Sequence, residues 1–378
     1  MINGARRAYP IGRVQGNATS APPSDGLRLA SANGLRLYRY NPPTVHSPAG
    51  GFPRGGTRTR GILEDFSLDT PVAVRSPSVA ITGANSAVGK RLLTRLLDGG
   101  GDAGGNIRVV AGVRRQHALD DLPRAAQIAP VLIDYDQPDS LVAALKDVDR
   151  VVHLAGILFE SKTTDYQTAN VGTTRALVAA AQSTGVRHVV FISSLGADPH
   201  SSNGYFRSKG EAEQVVANSG IDATIIRTPL LLGPDTSGGR ALVRTASQSS
   251  VRVLGGGAHR LCPLDIDDLC AGIVGCGQPP VAGVRTLDLV GPTTLSYREL
   301  IERTASRLGR TITVGSTPVW LARLGAGLAG LTRAGGMTPT VIDVITSDEV
   351  VAHNADGDLG IRLTPLSDTL AKLGDPAS

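Results

Sequence analysis

From residue 78 onward the chain alternates two apolar patterns. Short continuous runs rich in valine and isoleucine occupy residues 78–82, 107–113, 130–133, 150–155, 188–193 and 223–227. Between them, residues 90–97, 139–145, 164–183 and 203–218 place leucine, alanine and valine at helical spacing against a polar face. The first pattern fits strands buried on both sides, and the second fits amphipathic helices. Strands alternating with helices predict an α/β fold. The expected architecture is a doubly wound parallel sheet with helices on both faces, and ligands are expected at the carboxyl ends of its strands.

Residues 1–75 lack either period. They are rich in Gly, Pro, Ser and Arg, contain no lysine, and are read as a disordered arginine-rich tail. Residues 1–60 hold nine arginines and one acid, Asp25, so much of the net charge of +5 is local to this stretch. The basic pI of 9.3 is therefore weak evidence for nucleic acid, and only 3% of residues are aromatic stacking platforms. No nucleic-acid partner is expected. Cys262, Cys270 and Cys276 form no metal-ligand spacing, which fits buried thiols in a reducing, cytoplasmic setting.

The first strand runs into Gly83-Ala-Asn-Ser-Ala-Val-Gly89 and then a helix. Strand, glycine turn and helix together make a dinucleotide-binding fingerprint, in which the backbone approaches a pyrophosphate and the helix presents unpaired N–H groups to it. Ser86 stands where the middle glycine belongs. A magnesium-dependent phosphate loop is excluded, because Ala84 replaces its first glycine and Arg91 its Ser/Thr. Strand two ends in Arg114-Arg115 with no acid to bind a ribose 2′-hydroxyl, which favours the 2′-phosphate of NADP(H) over NAD(H). Asp134 and Asp136, after strand three, suit either the adenine amino group or a turn. Tyr205 and Lys209, one helical turn apart, pair a phenol with one of only five lysines in the chain.

Beyond residue 230 the pattern is expected to shape a substrate pocket. Gly255–Gly257 reads as a flexible turn, Ile266-Asp267-Asp268 as a capped helix start, and Ser296 as the N-cap of an amphipathic helix ending near Leu308. The apolar run at 318–331 is too short to cross a bilayer and carries Arg323. It reads as a pocket-covering helix, with peripheral membrane contact as the alternative.

Four blocks, TGANSAVG at 82–89, HLAG at 153–156, SSLGADPHSSNGYFRSKGEAE at 193–213, and RTPLLLGP at 227–234 with CPLDIDDL at 262–269, resemble the short-chain dehydrogenase/reductase superfamily in its extended or atypical, epimerase-like branch. The SLGAD block and the MTPTVIDVITSDEVV and TPLSDTL segments look like the group of the nucleotide-binding accessory subunit of respiratory complex I. The resemblance implies a Rossmann domain over 76–290, with 230–260 contributing to the substrate part, and a C-terminal substrate-pocket segment over 291–378. It implies hydride transfer to or from a carbonyl or alcohol of a small-molecule substrate. Tyr205 would be the acid/base, Lys209 would hold the nicotinamide ribose and lower the tyrosine's pKa, and Ser194, or else Ser193, would bind the substrate oxygen. Gly83, Asn85, Ser86, Ala87, Val88, Gly89, Arg114, Arg115, Asp134, Ala155, Gly156, Asn170, Lys209, Arg227 and Pro229 would line the cofactor. His153 would be structural. The serine-to-tyrosine spacing is shorter than in nucleotide-sugar epimerases. The alternative function is a non-catalytic dinucleotide-binding protein in assembly or redox sensing.

Overall fold

Seven parallel strands gather the apolar runs into one sheet. The computed structural model describes residues 77–99, 107–276, 281–330 and 337–374, so the arginine-rich tail lies outside the described residues. The strands are β1 (Ser78–Thr82), β2 (Arg108–Val113), β3 (Ile128–Leu132), β4 (Arg150–His153), β5 (His188–Ser194), β6 (Asp222–Thr228) and β7 (Val284–Asp288). Their spatial order is β7-β6-β5-β4-β1-β2-β3, the doubly wound order, with the direction of winding reversing between β1 and β4. β7 was not anticipated from the sequence. Among the described residues it pairs with β6 alone, its residues are exposed or half-buried, and its sequence VRTLD carries no continuous apolar run.

Alternate residues of each central strand enter opposite cores, as the period of two requires. Ile81, Val109, Val152 and Ile226 pack with Leu92, Leu93, Leu269 and Ile273 from α1 (Ala87–Leu97) and α6 (Ile266–Gly275). Ala80, Val110, Val151, Val189 and Ile225 pack on the other face, beneath α2 (Pro138–Leu145), α3 (Thr173–Thr184) and α4 (Gly204–Ala217). The single helix expected over 164–183 is instead a π-helical turn, Gln167–Gly172, leading into α3. The hydroxyls of Thr173 and Thr174 bond back to the carbonyls of Ala169 and Asn170 at 2.7 and 2.6 Å, and the Thr173 amide reaches Thr168. Threonines bonding backwards this way loosen the regular ladder.

Later segments form a further core around Leu232, Leu242, Val253, Leu300, Ile301 and Leu370. It joins α5 (Ser237–Ala246), α7 (Tyr297–Arg307), α10 (Leu366–Gly374) and a parallel pair of strands, Ser250–Leu254 and Thr313–Thr317. α8 (Val319–Gly330) and α9 (Pro339–Ile345) pack on each other, and α9 also meets α4. Ser296 caps α7 as expected, in a reciprocal capping box with Glu299. Among the described residues no helix is long and apolar enough to cross a membrane.

The CPLDIDDL block acts as a clasp. Asp265 caps α6, accepts from the Thr369 hydroxyl at 2.8 Å, and takes the Lys372 ammonium at 2.8 Å with its carboxylate fully buried. Lys372 also meets Asp267 at 2.7 Å, and Asp267 pairs with Arg91 of α1. Replacing Asp265 with Ala removes a cap, leaves the Thr369 hydroxyl without its acceptor, and leaves the Lys372 ammonium with Asp267 alone. The expected loss is about 3 kcal/mol of unfolding free energy, read from urea titration. A loss under about 0.5 kcal/mol, the size of an ordinary surface substitution, would mean the clasp is idle.

Candidate active site

The carboxyl ends of β1, β2, β4, β5 and β6 open onto one edge of the sheet, and the TGANSAVG, HLAG, SSLGAD and RTPLLLGP blocks begin at the ends of β1, β4, β5 and β6. After β1, Gly83 has φ of +70°, and a Cβ there would press to 3.3 Å on the Leu154–Ala155 backbone. The Ala84 amide donates to Gly112 at the end of β2, which folds the turn over the crevice. Gly89 is required for space: a Cβ would stand 2.5 Å from the Ala84 carbonyl oxygen. Ser86, in place of the middle glycine, has extended geometry and caps α1, its hydroxyl accepting from the Gly89 amide at 3.0 Å. The position thus calls for a cap, and the amides of Ala87 and Val88 remain at the helix mouth with no intrahelical partner. Such a cradle, with small residues and free N–H groups at a positive helix end, fits a pyrophosphate.

Arg114 and Arg115 stand exposed at the end of β2, and neither guanidinium forms an ion pair among the described residues. Asn85 is also exposed. Asp134 accepts from the Asp136 amide at 2.9 Å, and its own amide is held by the Ser140 hydroxyl, so the turn reading is realised.

The π-turn positions Asn170. Its Oδ1 accepts from the Ile157 amide at 2.8 Å, while Nδ2 donates to the Ile157 carbonyl at 3.2 Å and the Ser208 hydroxyl at 2.9 Å. Both amide hydrogens are therefore engaged, pinning the HLAG loop to α4. Gly156 sits against Asn170 Oδ1 and within about a Cβ contact of Lys209 Nζ, 3.0 and 4.0 Å from an added Cβ. His153 is structural here. The Thr174 hydroxyl donates to Asn170, so it accepts from His153 Nε2–H at 3.2 Å, leaving Nδ1 to accept from the Thr82 hydroxyl at 2.6 Å. Burial, helped by the Lys209 charge, holds the imidazole down to about 3, so it stays neutral.

Tyr205, Lys209 and Ser194 converge at the end of β5. Asn203 caps α4 by accepting from the Tyr205 and Phe206 amides, which fixes where the helix begins. Gly210 lets α4 lie directly on the loop after β5, since a Cβ would fall 2.3 Å from the Pro199 nitrogen. The Tyr205 ring meets Tyr166 edge-on at 5.8 Å, and the Tyr166 hydroxyl donates to Leu158 at 2.9 Å. Lys209, 7% exposed, donates to the Ile192 carbonyl at 2.8 Å and lies 4.5 Å over the Phe191 ring. Burial lowers its pKa to about 8, with Glu213 pulling the other way.

Two expectations about these residues need correction. Tyr205 is raised above the ordinary phenol value, by burial first; a hydrogen-bonding interaction with Ser194 opposes the rise, and the charge of Glu349 adds to it. Lys209 does not act as the depressant, because its ammonium is turned to the Ile192 carbonyl and the Phe191 face. Arg227 was expected at the cofactor, but its guanidinium makes a two-point pair with Glu213 of α4, at 2.9 and 2.6 Å. Ser193 is buried with its hydroxyl unpartnered among the described residues, while the Ser194 hydroxyl donates to the Leu195 carbonyl at 3.1 Å.

Glu349 was not singled out from the sequence. Its carboxyl reaches across 119 residues to accept from the Leu230 amide at 2.9 Å, just after Pro229. Burial raises it to about 7. Two adjacent acids in the polar stretch TSDE, Asp348 and Glu349, give no signal of which is buried. The described residues contain no group of His, Cys, Asp and Glu able to hold a metal, and burial lifts the thiols of Cys270 and Cys276 to about 12 and about 11.

Comparison with known proteins fits this geometry. The sequence profile of a family described as NAD(P)H-binding matches residues 83–253. A ceramide reductase of Caulobacter vibrioides is 26% identical over 231 residues, 61% of this chain and 70% of that protein. The mitochondrial NADH dehydrogenase [ubiquinone] 1 alpha subcomplex subunit 9 of Arabidopsis thaliana is 25% identical over 284 residues, 71% of this chain and 65% of that one. The solved structure of MoeE5 with UDP-glucose and NAD superposes with a TM-score of 0.61 over 78% of this chain and 97% of that one, at 21% identity, and shares the fold. The chain therefore carries an NAD(P)-binding Rossmann domain of the oxidoreductase-like kind, and its homologues include the complex I alpha subcomplex subunit 9 proteins.

Proposed function

We propose that the protein is an NADP(H)-dependent oxidoreductase of the short-chain dehydrogenase/reductase type, reducing a carbonyl of a small molecule through Tyr205, Lys209 and Ser194. The observation that carries this reading is the convergence of those three side chains beside the end of β5. A protein that only binds a dinucleotide has no need of that trio. When bound, the nicotinamide supplies the hydride.

The residues divide the remaining work. The pyrophosphate would rest on Gly83, Ser86 and Gly89 and on the amides of Ala87 and Val88. Arg114 and Arg115 would take the 2′-phosphate. Lys209 has two ammonium hydrogens beyond the one given to Ile192, which suits the ribose hydroxyls. Ser194 would turn its hydroxyl from the Leu195 carbonyl to donate to the substrate oxygen as negative charge gathers there. Tyr205, kept protonated at neutral pH by burial, would then give its proton to that oxygen. A resting phenol favours the reductive direction, and a ceramide reductase among the relatives is consistent with it. The alternative, a binding protein in assembly, is favoured by the complex I subunit relative.

Calorimetric titration tests the cofactor. NADPH is expected to bind at least about tenfold tighter than NADH, and the double variant R114A/R115A to lose about a hundredfold for NADPH with little change for NADH. Two exposed guanidiniums, each giving about 1.4 kcal/mol through charge-assisted hydrogen bonds, account for that factor. Equal affinity for the two cofactors would remove the NADP assignment.

A further inference from the structure

Tyr205, Lys209 and Glu213 follow one another along α4 at intervals of one helical turn. Side chains at that spacing are neighbours on the helix surface, so Lys209 has a carboxylate within reach on its own helix. Both residues are only 7% exposed, where little water screens their attraction. Even so, no ion pair joins them among the described residues. Lys209 donates to the Ile192 carbonyl of β5 at 2.8 Å, beside the Gly156 loop. Glu213 is turned instead to β6, where Arg227 Nε and Nη2 hold its Oε1 and Oε2 at 2.9 and 2.6 Å. The two arms of α4 thus end one rung apart, since Ile192 is followed on β5 by Ser193, the register partner of Arg227. The other ionisable groups nearby do not compete for the ammonium. His153 at the end of β4 is neutral, Tyr205 is kept protonated by burial, and Asp198 and Asp288 act on the Arg227 guanidinium. Glu213 is left as the carboxylate that acts on Lys209.

We propose that Arg227 is a positioning residue for Lys209: by holding both oxygens of Glu213 from the neighbouring strand, it stops that carboxylate from drawing the ammonium back along α4, and so keeps the ammonium on the Ile192 carbonyl at the crevice. The catalytic worth of that placement rests on the functional reading above. A planar guanidinium suits the task, because its two parallel N–H groups cover both carboxylate oxygens at once, where a lysine would cover one. Buried ion pairs add little net stability over apolar residues of the same size, so the placing of Lys209 gives this one a use. It also accounts for an arginine at the carboxyl end of β6 whose side chain is committed to a helix rather than to a ligand.

The test follows Lys209 itself. The chain has five lysines, so the full-length protein carrying lysine isotopically labelled at Cε gives few enough signals to titrate by NMR. The Lys209 resonance is the one lost in Lys209→Met. In the wild type its midpoint is expected at about 8. Arg227→Met frees Glu213 to take the ammonium, and the proton affinity of Lys209 should rise at least about tenfold, the effect of an opposite charge at close range. The double variant Arg227→Met/Glu213→Gln removes the competing carboxylate as well, and the affinity should return to within about threefold of wild type. Arg227→Met strands a buried carboxylate and is the variant at risk of not folding. Arg227→Gln then serves in its place: it keeps one hydrogen bond to Glu213 without the charge, and must raise the proton affinity by at least about threefold. An unmoved midpoint in whichever single variant folds would overturn the proposal. So would a rise that persists in the double variant, which would trace it to the missing Arg227 charge alone. These outcomes are separate from the catalytic reading: a wild-type protein that fails to bind NADPH would sink that reading and leave the Lys209 titration as measured.

Discussion

Tyr205→Phe is expected to lower turnover about a thousandfold while leaving NADPH affinity within about twofold, since positioned proton donors contribute between about a hundred- and ten-thousandfold. The ring stays where it is: Tyr166 meets it edge-on and Phe206 lies 5.7 Å away, contacts that phenylalanine keeps. Only the proton donor is lost. Because burial raises the phenol, wild-type Tyr205 remains protonated across neutral pH, so a fall in the reductive rate above about pH 8 reports the emptying of Lys209 rather than of the phenol. Stopped-flow oxidation of NADPH with a panel of carbonyl compounds gives the rate, and calorimetry gives the affinity. Undiminished turnover in the variant would rule out Tyr205 as the proton donor and hand the case to the binding-protein alternative.

What the sequence made legible followed from local pattern. Five of the six continuous runs became the inner strands β1, β2, β4, β5 and β6 because buried parallel strands need unbroken apolar stretches; the remaining one, β3, is an edge strand with Ala129, Pro130 and Leu132 exposed. Asn203 and Ser296 cap α4 and α7 by short-range bonds. The Rossmann fingerprint was legible for the same reason, a strand, a turn and a helix contiguous in the chain. What failed depended on long-range partners. β7 is half exposed and recognisable only through its neighbour β6. Arg227 lies at the carboxyl end of β6, yet Glu213 on α4 takes its guanidinium, and nothing local in either segment announces the pair. Ser86 looked like a defect in a glycine motif, but an extended backbone and a cap to Gly89 explain it. Spacing also gave the Tyr205–Lys209 pair correctly as a shared face while missing its electrostatics, because the direction of a flexible ammonium is set by the Ile192 carbonyl and Phe191 ring across the interface.

Lys209→Met should separate stability from function. In the unfolded chain a lysine titrates near 10.4, whereas burial brings Lys209 to about 8 in the native protein. Between those values the unfolded state holds a proton that the native state does not, so native stability rises with pH through the window. Below about 8 both states are charged, and the native state carries the full desolvation penalty, about 3 kcal/mol for a shift of this size. Methionine removes that penalty and can still pack on the Phe191 ring, but forfeits the bond to Ile192 and the cation–π contact, together about 2 kcal/mol. The net expectation is a protein about 1 kcal/mol more stable at neutral pH, without the rise in stability above pH 8, and with turnover reduced at least about a hundredfold. Denaturant titrations at neutral and alkaline pH read the first part and NADPH oxidation the second. A variant that loses stability and keeps its turnover would show that Lys209 is held inside the fold for packing alone; one that gains stability and loses turnover would show a buried charge retained at a thermodynamic disadvantage because the reaction requires it.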